Sequence, residues 1–326
     1  MAEKISLVIA GGGFPLVDDF KKGAIADAVM ANLPEGFQDE VEVIEWSRQP
    51  GSHYSVRMTA DLLQLLAQQV EGGAKAVAAF CGAGAVEEMA YLGGLLWCYP
   101  QPLIFAAMPN ILSSVSEHKQ LLNDVLAVAS SPSVWNNGVI LCADGRIFSA
   151  LDVLQVSNLD RVRFDGNLFG AIGLVSNGRV AILRHPILPQ RSFNGMVDPA
   201  RNVEMVYSAL GSGKVFVQAL VDGLDDKKLT LDGLVIAGFG SGSVYPSWIP
   251  CLKTLAFRDI PMVMVSRCHR GCVLESADFE GSFHRLKEIG IMDGGYLSPL
   301  QARLKLAVGI GAGFKGEKLQ KYLLEG

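Results

Sequence analysis

The sequence predicts a two-domain α/β protein, with a larger N-terminal domain built on a parallel sheet and a smaller C-terminal α/β domain. Short apolar runs without polar breaks alternate with segments of helical periodicity up to residue 142, and the alternation resumes after residue 203. Buried parallel strands have such apolar sequences, and the helices between them cover both faces of the sheet. A stretch with several prolines separates the two regions. We place the boundary there, which gives domains of residues 1–195 and 196–326.

The elements of the first domain follow from the apolar runs and from the glycines and prolines that end them. Strands are predicted over residues 5–10, 41–46, 77–80, 103–107 and 138–142. Helices are predicted over residues 18–33, 59–70 and 119–129, and another begins at residue 85. Residues 147–180 instead have the pattern of short strands and turns, with a hairpin at the Ser-Asn-Gly-Arg sequence of residues 176–179.

The second domain repeats the strand and helix pattern. Strands are predicted over residues 203–207, 233–237 and 261–266, and helices over residues 215–223, 247–257 and 298–308. A loop rich in glycine and serine, residues 238–243, follows the second of these strands. Ligands of open α/β sheets bind at the carboxyl ends of the strands, so such loops are candidates for a binding site.

Composition excludes several classes of function. The net charge of -5 argues against nucleic acid or an anionic membrane as the main partner. No run approaches the roughly 18 apolar residues of a membrane span, and the N-terminus is too polar for a signal peptide. The six cysteines are scattered through the sequence. We therefore expect reduced thiols and a cytoplasmic protein.

The most informative stretch follows the third predicted strand. Residues 81–85 have the sequence CGAGA, and a helix is predicted to follow. Backbone N–H groups of a glycine-rich turn and of a helix N-terminus favour an anion, so we expect Gly82, Ala83 and Gly84 to contact a ligand. These residues offer no hydroxyl or carboxylate. The thiol of Cys81 is the one reactive group in the stretch.

Several motifs occur in the order found in one enzyme family. Residues 10–15 (AGGGFP) are similar to its first motif, TGGTIA, and residues 81–91 (CGAGAVEEMAY) to its HGTDT motif and the helix start MEETA. Residues 144–153 (DGRIFSALDV) and 233–244 (GLVIAGFGSGSV) match two later motifs. Over nearly the whole chain the sequence resembles the bacterial-type asparaginase/glutaminase family. The resemblance implies a two-domain α/β fold and a homodimer or homotetramer.

The family's catalytic residues do not carry over. Its nucleophilic threonine aligns with Gly13, and the threonine and aspartate of its second motif align with Ala83 and Gly84. Its catalytic lysine falls near residues 131–132, and no lysine lies between Lys119 and Arg146. The loop after the first motif also lacks the family's tyrosine. An acyl-enzyme needs a hydroxyl or thiol activated by a base, so we predict no ordinary asparaginase activity.

Three residues near the predicted ligand site, Arg48, His53 and Cys81, remain open to two interpretations each. The resemblance implies that Arg48 and Gln49 bind the carboxylate of a substrate, and an arginine pairs well with a carboxylate; a solvated arginine is the alternative. His53 is either a general base or an exposed loop histidine. Cys81 is either a thiol activated by the helix N-terminus or a buried, inert cysteine.

Polar residues after the fourth strand and in the second domain give further candidates. Ser113 is expected to contact the ligand, and Glu117 either orients His118 for catalysis or caps the next helix. Ser241 and Ser243 replace asparagines of the family motif, and they either donate hydrogen bonds to a ligand or belong to a tight turn.

No cofactor and no metal are expected. The sequence Cys-His-Arg-Gly-Cys at residues 268–272 supplies three ligands, one short of a structural zinc site. The glycines at residues 11–13 and 211–213 fit neither a dinucleotide fingerprint nor a P-loop.

Two hypotheses for function remain. In the first, the protein is an enzyme acting on a small carboxylate- or amide-bearing metabolite through a remodelled active site, with His53, Cys81, Glu117 and His118 as candidate catalytic groups. In the second, it is a catalytically inactive homologue that binds a small ligand or a partner. A histidine within hydrogen-bond reach of a carboxylate or thiol in the crevice would favour the enzyme.

Overall fold

The computed structural model describes residues 4–11, 24–109, 114–159, 162–188, 195–275 and 278–325. The chain divides into two compact units, residues 1–188 and 189–326. The division predicted near residue 195 lies close to this point and stays a prediction.

The first unit is built on an eight-stranded sheet covered by helices. The strands of this unit, inside and outside the large sheet, are β1 (Ile5–Ala10), β2 (Val41–Ser47), β3 (Ala76–Gly82), β4 (Leu103–Met108), β5 (Val139–Ala143), β6 (Arg146–Ser149), β7 (Leu154–Gln155), β8 (Phe164–Asp165), β9 (Gly173–Ser176) and β10 (Arg179–Ile182). Its helices are α1 (Ala24–Ala31), α2 (Val56–Glu71), α3 (Ala83–Leu96) and α4 (Val115–Ser130). β7 and β8 pair with each other outside the large sheet.

The order of strands in the large sheet is β10-β9-β6-β5-β4-β3-β1-β2. Neighbours from β2 to β5 pair in parallel, whereas β6, β9 and β10 extend the sheet with antiparallel pairs. The sheet is therefore mixed, because short turns can join only antiparallel strands. The predicted hairpin is confirmed: Asn177 and Gly178 both have positive φ and connect β9 to β10.

Apolar side chains from both faces of the sheet are buried under helices. Every residue of β1, β4 and β5 is buried, as expected for parallel strands covered on two sides. Ile25 of α1 and Leu122 of α4 belong to one core with alternate residues of β1. On α2 the N-cap residue Ser55 accepts a hydrogen bond from the backbone N–H of Met58, which ends the preceding loop and starts the helix.

The second unit has a four-stranded parallel sheet in the order β11-β12-β13-β14. Its elements are β11 (Val203–Tyr207), α5 (Lys214–Asp225), β12 (Gly233–Gly238), α6 (Ile249–Phe257), β13 (Met262–Ser266), α7 (Phe283–Lys287), β14 (Met292–Asp293), α8 (Pro299–Gly311) and α9 (Gly316–Leu324). The sequence pattern located the strands β11 to β13 and the helices α5, α6 and α8. It missed α7, β14 and α9, of which α7 and β14 are too short to show a period.

Candidate functional site

The carboxyl ends of β1 and β3 meet where the chain reverses direction across the large sheet. β2 lies on one side of β1, and β3, which follows β2 in the chain, lies on the other side. In open α/β sheets such a switch point leaves a crevice in which ligands bind. Gly11, directly after β1, has a φ of +95°, and a Cβ there would lie 2.3 Å from the carbonyl oxygen of Gln49. The loop after β2 therefore packs against the end of β1, and glycine alone fits at residue 11.

On the other side of the crevice, β3 runs into α3 without a turn. Gly82 is the last residue of the strand and the N-cap of the helix, with φ −61° and ψ 136°, and Ala83 begins the helix. The glycines of residues 82–84 predicted a turn before a helix that begins at residue 85, and this prediction is wrong, since Gly84 lies inside the first helical turn. No side chain among the described residues caps α3. As far as the described residues show, its first backbone N–H groups can face a polar or anionic group.

Arg48 and Gln49 lie in the loop that follows β2. The Nε of Arg48 donates to the carboxylate of Glu45, and the side chain of Arg48 is 27% exposed. The positive charge of Arg48 is therefore already paired with Glu45, and the carboxylate of a ligand would have to compete with Glu45 for it. Gln49 is exposed, and its backbone N–H donates to the hydroxyl of Ser47 at 3.2 Å. The structure thus brings Gln49 to the crevice and commits Arg48 to Glu45.

A 3₁₀ turn, Gly51–His53, lies between this loop and α2, and it packs against the start of α3. A Cβ on Gly51 would lie 2.9 Å from the Cβ of Ala85, so the turn packs directly against the first residues of the helix. His53 is exposed. Within the described parts of the chain, no carboxylate or thiol forms a hydrogen bond with its ring. His53 is therefore at the rim of the crevice, without the partner that a general base in a catalytic pair requires.

Tyr54 follows this turn, and sequence reasoning did not single it out. Its ring packs against Trp46, with ring centroids 5.8 Å apart, and a Cβ on Gly11 would lie 2.6 Å from its hydroxyl oxygen. That oxygen is buried, and no described group forms a hydrogen bond with it. Burial raises the pKa of Tyr54, and the neighbouring Ser47 hydroxyl opposes this effect. An aromatic residue in an otherwise polar loop was the available sequence signal.

Cys81 lies inside β3 and is completely buried. Its Sγ is 3.8 Å from the carbonyl oxygen of Ala79, and burial raises the pKa of the thiol far above its ordinary value. A nucleophilic cysteine needs the opposite shift and access to substrate. The structure favours the inert interpretation of Cys81.

Glu117 and His118 serve the N-terminus of α4. The carboxylate of Glu117 accepts from the backbone N–H of Ser114 at 2.8 Å, and the Ser114 hydroxyl accepts in return from the backbone N–H of Glu117. This is a capping box. His118 is buried, with its Nδ1 3.0 Å from the carbonyl oxygen of Ser114. These contacts favour the capping interpretation of Glu117.

Ser241 and Ser243 lie in the second unit on a tight turn after β12. The backbone N–H groups of Phe239 and Ser243 each donate to the other residue's carbonyl oxygen, at 2.8 and 3.2 Å. Gly240 and Gly242 between them have positive φ, which lets the chain reverse within five residues. The tight-turn interpretation is therefore supported. A role for the two serine hydroxyls in ligand binding stays a prediction.

Glu87 is a second residue that the sequence did not identify as special. It lies on α3 and is 9% exposed, and its Oε2 accepts from the backbone N–H of Gln155 at 2.7 Å. Burial raises the pKa of this carboxyl to about 7, and the negative charge of Glu88 adds to the effect. The carboxylate is bound to β7 and not to the switch-point crevice.

Gly13 and Ser113, two further predicted site residues, lie outside the described residues. All six cysteines are described, and all six are free thiols. The described residues contain no cluster of three or more histidine, cysteine, aspartate or glutamate side chains arranged to hold a metal. In the same residues, no helix has the length and apolar character needed to cross a bilayer.

Two family models match the chain. The model described as "Asparaginase, N-terminal" matches residues 4–188, and the model described as "Glutaminase/Asparaginase C-terminal domain" matches residues 202–323. Together with the two α/β units and the switch-point crevice, these matches define an asparaginase-type protein. The chain belongs to the asparaginase family.

Individual relatives agree with this assignment. An L-asparaginase of Bacillus licheniformis is 24% identical over 318 residues, which cover 94% of this chain and 95% of that protein. A probable L-asparaginase of Deinococcus radiodurans is 28% identical over 289 residues, which cover 85% and 83% of the two chains. A probable cytoplasmic L-asparaginase from Campylobacter jejuni matches with a TM-score of 0.83 at 21% identity over 100% of both chains. The predicted two-domain fold is confirmed.

Proposed function

We propose that this member of the asparaginase family binds a small carboxylate- or amide-bearing metabolite in the switch-point crevice and does not hydrolyse asparagine through an acyl-enzyme. One observation carries the proposal: the candidate catalytic groups are each committed elsewhere or unpaired in the described residues. Cys81 is buried and Glu117 caps α4, while His53 is exposed without a carboxylate or thiol partner. Covalent catalysis needs a nucleophile within reach of a base.

Ligand binding is supported by the polar groups that remain at the crevice. The uncapped N-terminus of α3 offers backbone N–H groups, and Gln49 lies beside the end of β1. Such groups bind an oxygen-rich ligand without needing a nucleophile. A small acid or amide fits them better than a cation or an apolar molecule does.

A remodelled enzyme is the second candidate, and His53 is the observation that favours it. The 3₁₀ turn that contains His53 packs against the start of α3, so a ligand bound at that helix start would lie next to this turn. In that case a group of the ligand would supply the partner that the His53 imidazole lacks. His53→Ala would then abolish turnover and leave binding intact.

The test combines an activity assay with a binding screen on the purified full chain. Ammonia release is measured with L-asparagine and L-glutamine, and small carboxylic acids and amides are screened by thermal shift. The expected result is no ammonia release and stabilisation by one class of acid or amide. Turnover at an ordinary amidase rate would overturn the proposal. Gly13→Thr should not restore hydrolysis, since groups that act as a unit cannot be replaced singly.

A matched pair of variants tests where the ligand binds. A side chain at Gly84 would meet open space on the first turn of α3. Gly84→Asp puts a negative charge at the helix N-terminus, whereas Gly84→Asn adds nearly the same volume without charge. The aspartate variant should lose about tenfold or more in affinity for a carboxylate ligand relative to the asparagine variant. Equal affinities would place the ligand elsewhere.

We also propose a cytoplasmic homodimer or homotetramer. The six free thiols support a reducing compartment, and the Campylobacter jejuni relative is described as a probable cytoplasmic protein. The assembly is the family expectation, and light scattering of the full chain after gel filtration tests it.

A further inference from the structure

The hydroxyl of Tyr54 is a buried polar group at the switch point. It lies against Gly11, directly after β1, and its pKa is affected by Ser47 at the end of β2 and by Cys81 near the end of β3. It therefore stands where three adjacent strands of the large sheet end. The strands β1 and β3 are neighbours in the sheet, and the switch-point rule puts the crevice between their carboxyl ends.

Among the described residues, this hydroxyl forms no hydrogen bond of normal geometry, although the Ser47 hydroxyl lies near it and its oxygen is shielded from solvent. Buried hydroxyls are nearly always paired, because an unpaired one has lost its bonds to water without replacement. The contact of Tyr54 with Trp46 involves the aromatic ring and provides no hydrogen bond for the hydroxyl oxygen. An unpaired group of this kind at a ligand crevice needs a reason other than stability.

We propose that the Tyr54 hydroxyl donates a hydrogen bond to a carbonyl or carboxylate oxygen of the ligand and is thereby a specificity-determining residue of the crevice. This inference rests on the proposed function. The uncapped N–H groups of α3 supply donors on one wall, and Tyr54 supplies one on the other. An oxygen-bearing group held between them is recognised from two sides, whereas an apolar group forms no hydrogen bond with Tyr54.

The ligand-free position of Tyr54 requires a movement. Its oxygen packs against Gly11, so the ring has to rotate away from residue 11 before a ligand oxygen reaches the hydroxyl. The ring is partly exposed, so this rotation does not open the core. The pKa of Tyr54 is raised above its ordinary value of 10.0, so the hydroxyl is protonated at neutral pH and can act as a donor there.

Tyr54→Phe removes the hydroxyl and keeps the ring. If the hydroxyl serves the ligand, this variant is at least as stable as the wild type without ligand, and it binds the ligand about tenfold more weakly. Tyr99→Phe is the matched control, because the Tyr99 hydroxyl bonds to Glu71 at an exposed position of the same unit. Its affinity should equal that of the wild type.

Binding of L-aspartate, L-asparagine and succinate to the full chain is measured by calorimetry, and unfolding by differential scanning calorimetry. A loss of affinity in Tyr54→Phe with unchanged or raised melting temperature supports the inference. Equal affinity in Tyr54→Phe and wild type overturns it and leaves the proposed function standing. Failure of the wild type to bind any of the three overturns the proposed function itself.

A second measurement does not depend on the folding of that variant. The ring contact between Trp46 and Tyr54 makes indole fluorescence sensitive to the ring rotation. Adding one of these three compounds at a concentration at which it binds should change the fluorescence emission of the wild type. The emission of Trp46→Phe should stay unchanged. A probe that binds without any change in the wild-type emission would contradict the movement.

Discussion

The carboxylate of Glu87 accepts a hydrogen bond of 2.7 Å from the backbone N–H of Gln155, 68 residues further along the chain. This bond ties α3, which begins at the crevice, to the short strand β7. The acid is buried, and its pKa is raised to about 7. Its protonation state therefore changes near neutral pH, and the stability of the first unit should follow it.

Glu87 predicts a fall of stability with rising pH. Between its ordinary pKa of 4.5 and the raised value of about 7, the folded protein holds this proton more tightly than the unfolded chain does. Stability contributed by the neutral acid is thus complete below pH 4.5 and lost as the pH rises through 7, by about 3 kcal/mol. Glu87→Gln should be more stable than the wild type above pH 7, measured by urea unfolding. Asp61→Asn, at an exposed position of α2, is the control and should not reproduce this difference.

Two glycines predict opposite effects of the same substitution. Gly11→Ala meets the Gln49 carbonyl and the Tyr54 hydroxyl at a φ of +95°, and should lose about 2 to 4 kcal/mol of unfolding free energy. Gly84→Ala meets nothing within 4 Å inside a helix and should gain about 0.5 to 1 kcal/mol. Denaturant unfolding of both variants measures the difference. If Gly84→Ala were destabilising, this would instead support the turn that the sequence predicted at this residue.

The cysteines predict a pattern of chemical labelling. Cys98 and Cys268 are exposed, whereas Cys81 and Cys142 are buried and their thiol pKa values are raised by burial. Brief treatment of the native protein with iodoacetamide should modify the two exposed residues and spare the two buried ones, since the thiolate is the reactive form. Peptide mass spectrometry reads this out, and unfolded protein is the control for full labelling. Fast labelling of Cys81 in the native protein would support the hypothesis that Cys81 is a nucleophile.

The capping box of α4 predicts a structural role for Glu117. Ser114→Ala should lose about 1 kcal/mol of unfolding free energy, whereas Glu117→Gln keeps a side chain that can accept in a capping box and should change little. Ser298→Ala is the comparison, because α8 begins with the same box and has Gln301 in place of the glutamate. A loss of function in Glu117→Gln at unchanged stability would instead indicate a catalytic acid.

Local patterns carried most of the fold prediction. The strands β1 to β5 and β11 to β13 stand out as apolar runs, and the Asn-Gly pair at residues 177 and 178 specifies the hairpin turn because both residues tolerate positive φ. Short elements such as β14, with two residues, carry too few side chains to show a period. The start of α3 was placed wrongly, since glycines mark turns in sequence but Gly82 here continues an extended strand into a helix.

The fold could be predicted from the sequence because strand periodicity is a local property of the chain, whereas the loss of the family's nucleophile rests on the family resemblance and stays a prediction. The roles of the remaining groups depend on the tertiary structure. Strand order placed the crevice between β1 and β3, and long-range packing buried Cys81, paired Arg48 with Glu45 and left the Tyr54 hydroxyl without a hydrogen bond of normal geometry. Burial and hydrogen bonding set the reactivity of a side chain, and both depend on neighbours that are distant in sequence.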